Sequence, residues 1–197
     1  FGDFLLNHSM ATPQTFVFIG RSGSGKGTQA ELLIKQFAAR GEPVFYAETG
    51  EQIRKFFATG SYSSQLAQKV SLTGNRQPDF MADYMWSNLL LYQFQGVEHL
   101  IFDGTPRSLF QAQILDTAMA FYQRELVHVI ALHVSHLCAA DRLTKRGRND
   151  DDEQGIGKRL AWYEKDVVPA LDYYRTNPRY RLVEIDGERS IAEVHAD

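Results

Sequence analysis

Gly20-Arg21-Ser22-Gly23-Ser24-Gly25-Lys26-Gly27-Thr28 is the stretch that decides how the rest of this chain is read. The β-rich run Thr15 to Ile19 leads into it. Helical spacing leads out of it, with Ala30, Leu33 or Ile34, and Phe37 recurring every three to four residues over Lys26 to Arg40 until Gly41 and Pro43 stop the pattern. In a strand-loop-helix of this kind the glycines let consecutive backbone N–H groups turn inward on an anion. The helix N-terminus adds the positive end of its dipole, and the lysine reaches the β- and γ-phosphates. Gly23, Ser24, Gly25, Lys26, Gly27 and Thr28 are therefore expected to cradle a nucleotide triphosphate, with Thr28 helping to hold Mg²⁺. Four glycines in these slots arise by chance in about 0.5% of chains of this length, and the flanking strand and helix lower that further. The general pattern places Ser or Thr directly after the lysine, whereas here Gly27 intervenes.

Working outward, four more β-rich runs occur at Val44 to Ala47, Leu100 to Phe102, Leu126 to Val134 and Arg181 to Ile185, separated by helix-length segments. Strands alternating with helices call for a parallel sheet covered on both faces, so the expected fold is α/β, a three-layer α/β/α sandwich with five parallel strands. The gap from Gly50 to Gly96 exceeds what one crossover helix needs and predicts two or three helices in an inserted lobe. No internal repeat, low-complexity stretch or Pro/Gly-rich linker marks a second domain. Residues 15–197 are read as one domain. Residues 1–14 are set apart as an N-terminal extension, because Met10-Ala11-Thr12 reads equally as a native start behind residues added for expression.

Of the 197 residues 44% are hydrophobic and 23% charged, which suits one globular domain with a full core. A net charge of −3 exerts no long-range pull on nucleic acid or an anionic membrane, so a polyanionic ligand must be met by locally placed Lys and Arg. Neither nucleic acid nor membrane is expected as a partner, and no apolar run approaches the ~20 residues a bilayer span needs. Cys138 is the single cysteine, which excludes an internal disulfide and a Cys-rich zinc site and fits a reducing, cytoplasmic setting.

Further stretches, in order, resemble the adenylate kinases from about residue 15 onward. Thr49-Gly50-Glu51-Gln52-Ile53-Arg54 is similar to the family's TGDxxR, and Asp103-Gly104-Thr105-Pro106-Arg107 to its DGFPR, followed by Gln111-Ala112. Arg142, Arg146, Arg148-Asn149-Asp150-Asp151 and Arg159-Leu160-x-x-Tyr163 resemble the arginine-rich lid and its edges, and Val183 to Arg189 the last strand and turn. The resemblance implies a P-loop NTPase fold, a nucleoside-monophosphate-binding lobe at about 49–79 and a very short lid at about 146–152. It implies ATP and AMP as substrates, Mg²⁺ as cofactor and a monomer. It further implies that Thr49, Arg54, Gln77, Gly104, Arg107, Gln111, Arg148 and Arg159 meet AMP. Arg142, Arg146 and the backbone near Arg189 meet ATP, alongside the phosphate loop. Lys26, Arg107, Arg146, Arg148 and Arg159 serve catalysis, Asp150 and Asp151 orient the lid, and Thr28 and Asp103 organise Mg²⁺ through water. With no separate lid domain, closure is expected from a small hinge at the Arg146 end and from the lobe.

The chain departs from the family pattern in places. Ser22 stands for the usual proline, Glu51 for Asp and Thr105 for Phe. Gln77, in the stretch Gly74-Asn75-Arg76-Gln77-Pro78-Asp79 that resembles GxLVPD, replaces an aliphatic side chain of the base pocket. A polar group there can change which nucleobase is read, leaving a UMP/CMP-type kinase as the first alternative and a non-catalytic nucleotide-binding protein as the second. His133 and His136 have HxxH spacing but no third ligand, so a metal role is not expected. Trp86, Trp162, Tyr163, Tyr173 and Tyr174 are expected to pack helices, and Cys138 to be a small buried apolar residue.

Overall fold

A computed structural model describes residues 12–147 and 153–197. The phosphate-loop stretch sits where its pattern places it, between β1 (Thr15–Gly20) and α1 (Lys26–Ala39). Then follow β2 (Val44–Glu48), α2 (Thr49–Phe57), α3 (Tyr62–Leu72), α4 (Asp79–Gln93), β3 (His99–Asp103), α5 (Leu109–Phe121), β4 (Val127–His133) and α6 (His136–Arg146). After α7 (Glu153–Trp162) a π-turn over Tyr163–Val167 leads into α8 (Val168–Thr176), β5 (Tyr180–Asp186) and α9 (Ile191–Ala196). Each expected β-run is a strand within a residue or so of its expected ends. The long gap after Gly50 holds three helices, α2 to α4.

All five strands are parallel, in the order β2-β3-β1-β4-β5. Period-2 alternation sends successive β1 side chains to opposite layers. Val17 and Ile19 join Phe102, Val129 and Ala131 against Trp86 and Leu90 of α4, Leu115 and Met119 of α5, and Tyr163, Leu171 and Tyr174 of the π-turn and α8. Phe18 points the other way, packing with Ile101, Ala30 and Phe37 of α1. Val194 of α9 covers Leu132 and Ile185 on a smaller cluster. Phe102 and Tyr174 are fully buried, and side chains of this size each contribute roughly 1.5–3 kcal/mol relative to exposure. Three layers with both sheet faces covered is the α/β P-loop fold.

Local chemistry sets the helix ends. Ser61, Ser108, Ser135 and Ser190 each cap a helix by accepting a backbone N–H three residues on. At the other end α1 and α3 close in the same way: Gly41 N–H reaches Ala38 O and Glu42 N–H reaches Phe37 O, just as Gly74 N–H reaches Ser71 O and Asn75 N–H reaches Val70 O. Both glycines sit at φ 72°, the left-handed geometry this motif requires. Pro169 lacks the N–H that an uninterrupted α-helix would direct at Lys165, and the wider π-turn falls on those residues.

Helices α2 to α4 carry a core of their own, built from Ile53, Ala67, Met81 and Met85 with Phe56 and Phe57 beside it. Because the sheet is parallel, the carboxyl ends of β1, β2, β3 and β4 share one edge, where open α/β sheets place ligands. Among the described residues no helix is long and apolar enough to cross a membrane.

Candidate active site

The phosphate loop is held by contacts that only its sequence allows. Gly23 at φ 83° and Gly25 at φ 95° occupy the left-handed region, and a Cβ on Gly23 would lie 2.7 Å from the Ala139 carbonyl oxygen. Helix α1 begins without a side-chain cap or an acidic residue in its first turn, leaving its first N–H groups for an anion. Lys26 Nζ donates to the Gly20 and Arg21 carbonyls, both at 2.9 Å, and to Ser24 Oγ at 3.4 Å. Burial pulls its ammonium down to about 8; Asp103 opposes the shift, and Arg107 and Arg146 add to it. A cation held this reluctantly gains from an incoming polyphosphate.

Gly27, the residue that interrupts the general motif, has a physical reason. A Cβ there would come within 3.3 Å of Asp103 Oδ2, so a side chain would crowd the carboxylate at the end of β3. Asp103 is buried, and Tyr46 of β2 donates its hydroxyl to Oδ2 at 3.1 Å. Burial, with Asp103 beside it, pushes the Tyr46 hydroxyl up, so it remains a donor. Among the described residues no three His, Cys, Asp or Glu side chains assemble into a metal cage. The oxygen donors Asp103 and Thr28 suit a hard cation that arrives with phosphates and keeps its waters, as Mg²⁺ does.

These elements open on a cleft of about 950 Å³. Among the described residues six cations line it, Lys26, Arg54, Arg107, Arg142, Arg146 and Arg159, against the three carboxylates Glu31, Glu48 and Asp103. The surplus of positive charge in a concave site selects polyanions although the whole chain is acidic. Several guanidiniums are already positioned. Arg107 donates Nε to the Gly104 carbonyl at 2.7 Å, stacks 5.8 Å from the Trp162 ring, and has its pKa lowered by burial. Arg142 donates to the Gly187 carbonyl at 2.9 Å, and Arg54 to Glu48 Oε1 at 2.8 Å.

At one end of the cleft lies a cavity of about 10 Å³ whose lining includes Thr49, Gln77, Gly104, Arg107 and Gln111. Gln111 is fixed at both ends of its amide: Oε1 accepts the Arg107 backbone N–H at 2.7 Å, and Nε2 donates to Asp79 Oδ1 at 2.9 Å. Ser108 Oγ also donates to Asp79 Oδ1, at 2.9 Å, and Arg76 pairs with the same carboxylate while reaching Asp166 Oδ2 at 3.4 Å. Burial pushes the Asp79 carboxyl up, but the hydrogen bonds from Arg76 and Ser108 prevail and hold it below its ordinary value.

The structure thus brings Gly23, Gly25, Lys26, Gly27, Thr28, Arg54, Gln77, Asp103, Gly104, Arg107, Arg142, Arg146 and Arg159 onto one cleft. Thr49 and Gln111 lie on the smaller cavity, and Ser24 is buried inside the loop. Arg189 is not among the lining residues; its guanidinium pairs with Asp197. Arg148, Asp150 and Asp151, with most of the expected lid at 146–152, lie outside the described residues. Trp162 packs against the main core as expected, and it also lines the cleft, where its ring meets Arg107. Trp86, Tyr163 and Tyr174 lie in the core, and Tyr173 packs against it. His133 is half-buried and His136 exposed, facing Glu184 and Glu164 respectively, and Cys138 is only half-buried. Sequence reasoning missed Tyr46, Glu48 and Arg76. The only signal for them was proximity to matched motifs, since a tyrosine or glutamate at a strand end reads as ordinary surface.

A family model described as adenylate kinase matches residues 18–179. The chain is similar to an adenylate kinase of Synechococcus sp. (strain WH7803), 31% identical over 182 residues, covering 92% of this chain and 94% of the relative. It is similar to one of Thermus thermophilus, 30% identical over 191 residues and covering 95% and 96% respectively. A third, from Caulobacter sp. (strain K31), is 34% identical over 185 residues, covering 90% and 92%.

Proposed function

Since this chain belongs to the adenylate kinase family and is a nucleoside monophosphate kinase, we propose that it converts ATP and AMP to two ADP by direct, Mg²⁺-dependent phosphoryl transfer, as a cytoplasmic monomer. The observation that carries this reading is the convergence of Lys26, Arg107 and Arg146 on one cleft, the arrangement that lets two polyphosphates face each other.

In this reading the donor phosphates sit on the loop Gly23 to Thr28. Arg142 and the backbone near Arg189 flank the donor base. The acceptor lies in the lobe at about 49–79, with its phosphate on Arg54 and Arg107 and its base near Thr49, Gln77, Gly104 and Gln111. Arg146, Arg148 and Arg159 close over the transferring group, Asp150 and Asp151 orient that short lid, and Gly147 at φ 62° supplies the turn from which it hinges. Thr28 and Asp103 would hold Mg²⁺ through water, and the ion would supply positive charge against the phosphates.

The acceptor is a phosphate oxygen already ionised near neutral pH, so the chain needs no general base. Its own work is positioning and positive charge. Lys26 and the arginines stabilise charge spread over the transferring oxygens, and the planar guanidinium fork pairs two of them at once. Exclusion of water by the closing segments keeps the phosphoryl group from hydrolysis.

The test is a titration with two adenosines joined by five phosphates, with and without Mg²⁺, on the wild type and Arg107→Glu. Tight binding that needs Mg²⁺ and is lost with turnover in the variant is expected; binding indifferent to Arg107 would remove the proposal. A coupled assay across AMP, UMP, CMP and GMP separates it from a pyrimidine-specific kinase, which would turn over UMP or CMP in preference to AMP.

A further inference from the structure

Gln77 lies just ahead of α4, only 7% exposed, on the border between the main cleft and the small cavity. Its Nε2 donates to the Ala67 carbonyl at 2.7 Å. That bond settles which way the amide faces, because the reversed amide would set two acceptor oxygens against each other. The remaining atom, Oε1, is buried with no hydrogen-bond partner, as is Thr49 Oγ1 on the same small cavity. A buried acceptor left unpaired is unfavourable, and folded proteins keep few of them without a ligand or water to serve. The cavity has room for about one water as it stands.

Gln111 completes the pattern. With Oε1 already accepting from Arg107 N–H and Nε2 already donating to Asp79, it retains one lone pair and one N–H. An exocyclic amine has two hydrogens, one for Gln111 Oε1 and one for Gln77 Oε1. An exocyclic carbonyl in the same place would bring oxygen against oxygen.

We infer that Gln77 is a specificity-determining residue whose amide oxygen accepts a hydrogen bond from the amino group of the acceptor base, so that the site selects amino-bearing over oxo-bearing bases. The inference rests on the proposed kinase reading and goes beyond it by naming the atom that reads the base. Its removal leaves the Gln111 contact in place, so the loss is partial rather than complete.

The experiment compares kcat/KM for AMP, purine riboside 5′-monophosphate, which lacks the amine, and inosine 5′-monophosphate, which carries a carbonyl there. Wild type, Gln77→Leu and the unbranched Gln77→Met are each assayed with ATP and Mg²⁺. Because two substrates are compared on one enzyme sample, the ratio does not depend on the folded fraction. The AMP preference over purine riboside monophosphate is expected to fall about tenfold in both variants, as for loss of one buried hydrogen bond, and the rejection of inosine monophosphate to relax with it. A ratio unchanged within about twofold in both variants, in an enzyme active on AMP, overturns the inference alone. A wild type inactive on AMP removes the underlying kinase reading, and the inference with it.

Discussion

Replacing Gly74 with alanine tests the packing argument at its tightest point. Gly74 closes α3 at φ 72°, and a Cβ there would lie 2.7 Å from Gly155 Cα, 2.9 Å from Gly155 O and 3.2 Å from Gly155 C. All three are atoms of the α7 backbone and cannot swing aside as a flexible side chain would. Gly41 supplies the control, since it closes α1 with the same hydrogen bonds at the same φ of 72° and has nothing within 4 Å of its virtual Cβ. Alanine in the left-handed region costs about 1–2 kcal/mol at either site. The collision at position 74 adds about 1–3 kcal/mol of overpacking. For a chain of this size each kcal/mol lowers the unfolding midpoint by roughly 2–4 °C. Gly41→Ala is therefore expected to lose about 2–8 °C, and Gly74→Ala a further ~2–12 °C, by calorimetry or denaturant unfolding. Gly74 also lines the cleft and abuts the helix that carries Arg159, so phosphoryl transfer should fall at least about tenfold in Gly74→Ala and hardly change in Gly41→Ala. Equal stability of the two variants would refute the claim that α3 and α7 meet through a glycine-only contact.

Lys26→Met should reduce phosphoryl transfer by about a thousandfold or more while the far-UV circular dichroism stays that of wild type. Because Lys26 is drawn down to about 8 from 10.5, its stabilising contribution is complete only above the higher value and is lost as pH falls toward the lower one. Urea unfolding should therefore show wild type gaining roughly 2 kcal/mol on Lys26→Met between pH 8 and 10, and a pH-independent gap would contradict the buried ammonium. His99 accepts the Gln14 N–H on Nδ1 at 3.0 Å and is held neutral, its pKa lowered by burial from 6.5. Stability linked to it is present above 6.5 and lost as pH falls below. Thermal midpoints measured from pH 7.5 to 5 should therefore drop less in His99→Asn, which keeps an acceptor but does not titrate. Arg76→Leu removes the guanidinium shared by Asp79 and Asp166, with an expected cost of about 1–3 kcal/mol in stability. Gln111 would lose its fixed orientation through Asp79, so the KM for the monophosphate should rise more than kcat falls; a KM left at its wild-type value would count against that linkage.

Much of the fold was legible because its signals are local. The period-2 strands, the helix stopped by Gly41 and Pro43, and the loop Gly20 to Thr28 are each specified by neighbours along the chain, and parallel pairing follows from their alternation. The order of the matched motifs was enough to name the family and to pick out many of the residues that line the cleft, though not Tyr46 or Glu48, since parallel strands bring their carboxyl ends to one edge whatever the details of packing.

Other features depend on residues far apart in sequence, and these only tertiary structure decided. Gln77 could be placed in a base pocket from its motif, but whether it offers an oxygen or an N–H depends on the Ala67 carbonyl in α3. Gly27 looked like a family variant until Asp103 was found within 3.3 Å of where its side chain would begin. Trp162 was expected only to pack helices, yet besides packing on the core it meets Arg107 in the cleft, and Tyr46 meets Asp103 from a neighbouring strand that is remote in sequence. Periodicity and motif read the backbone's own preferences. The direction of a hydrogen bond or the closeness of two backbones is set by how separate elements pack, and no window along the chain contains both partners.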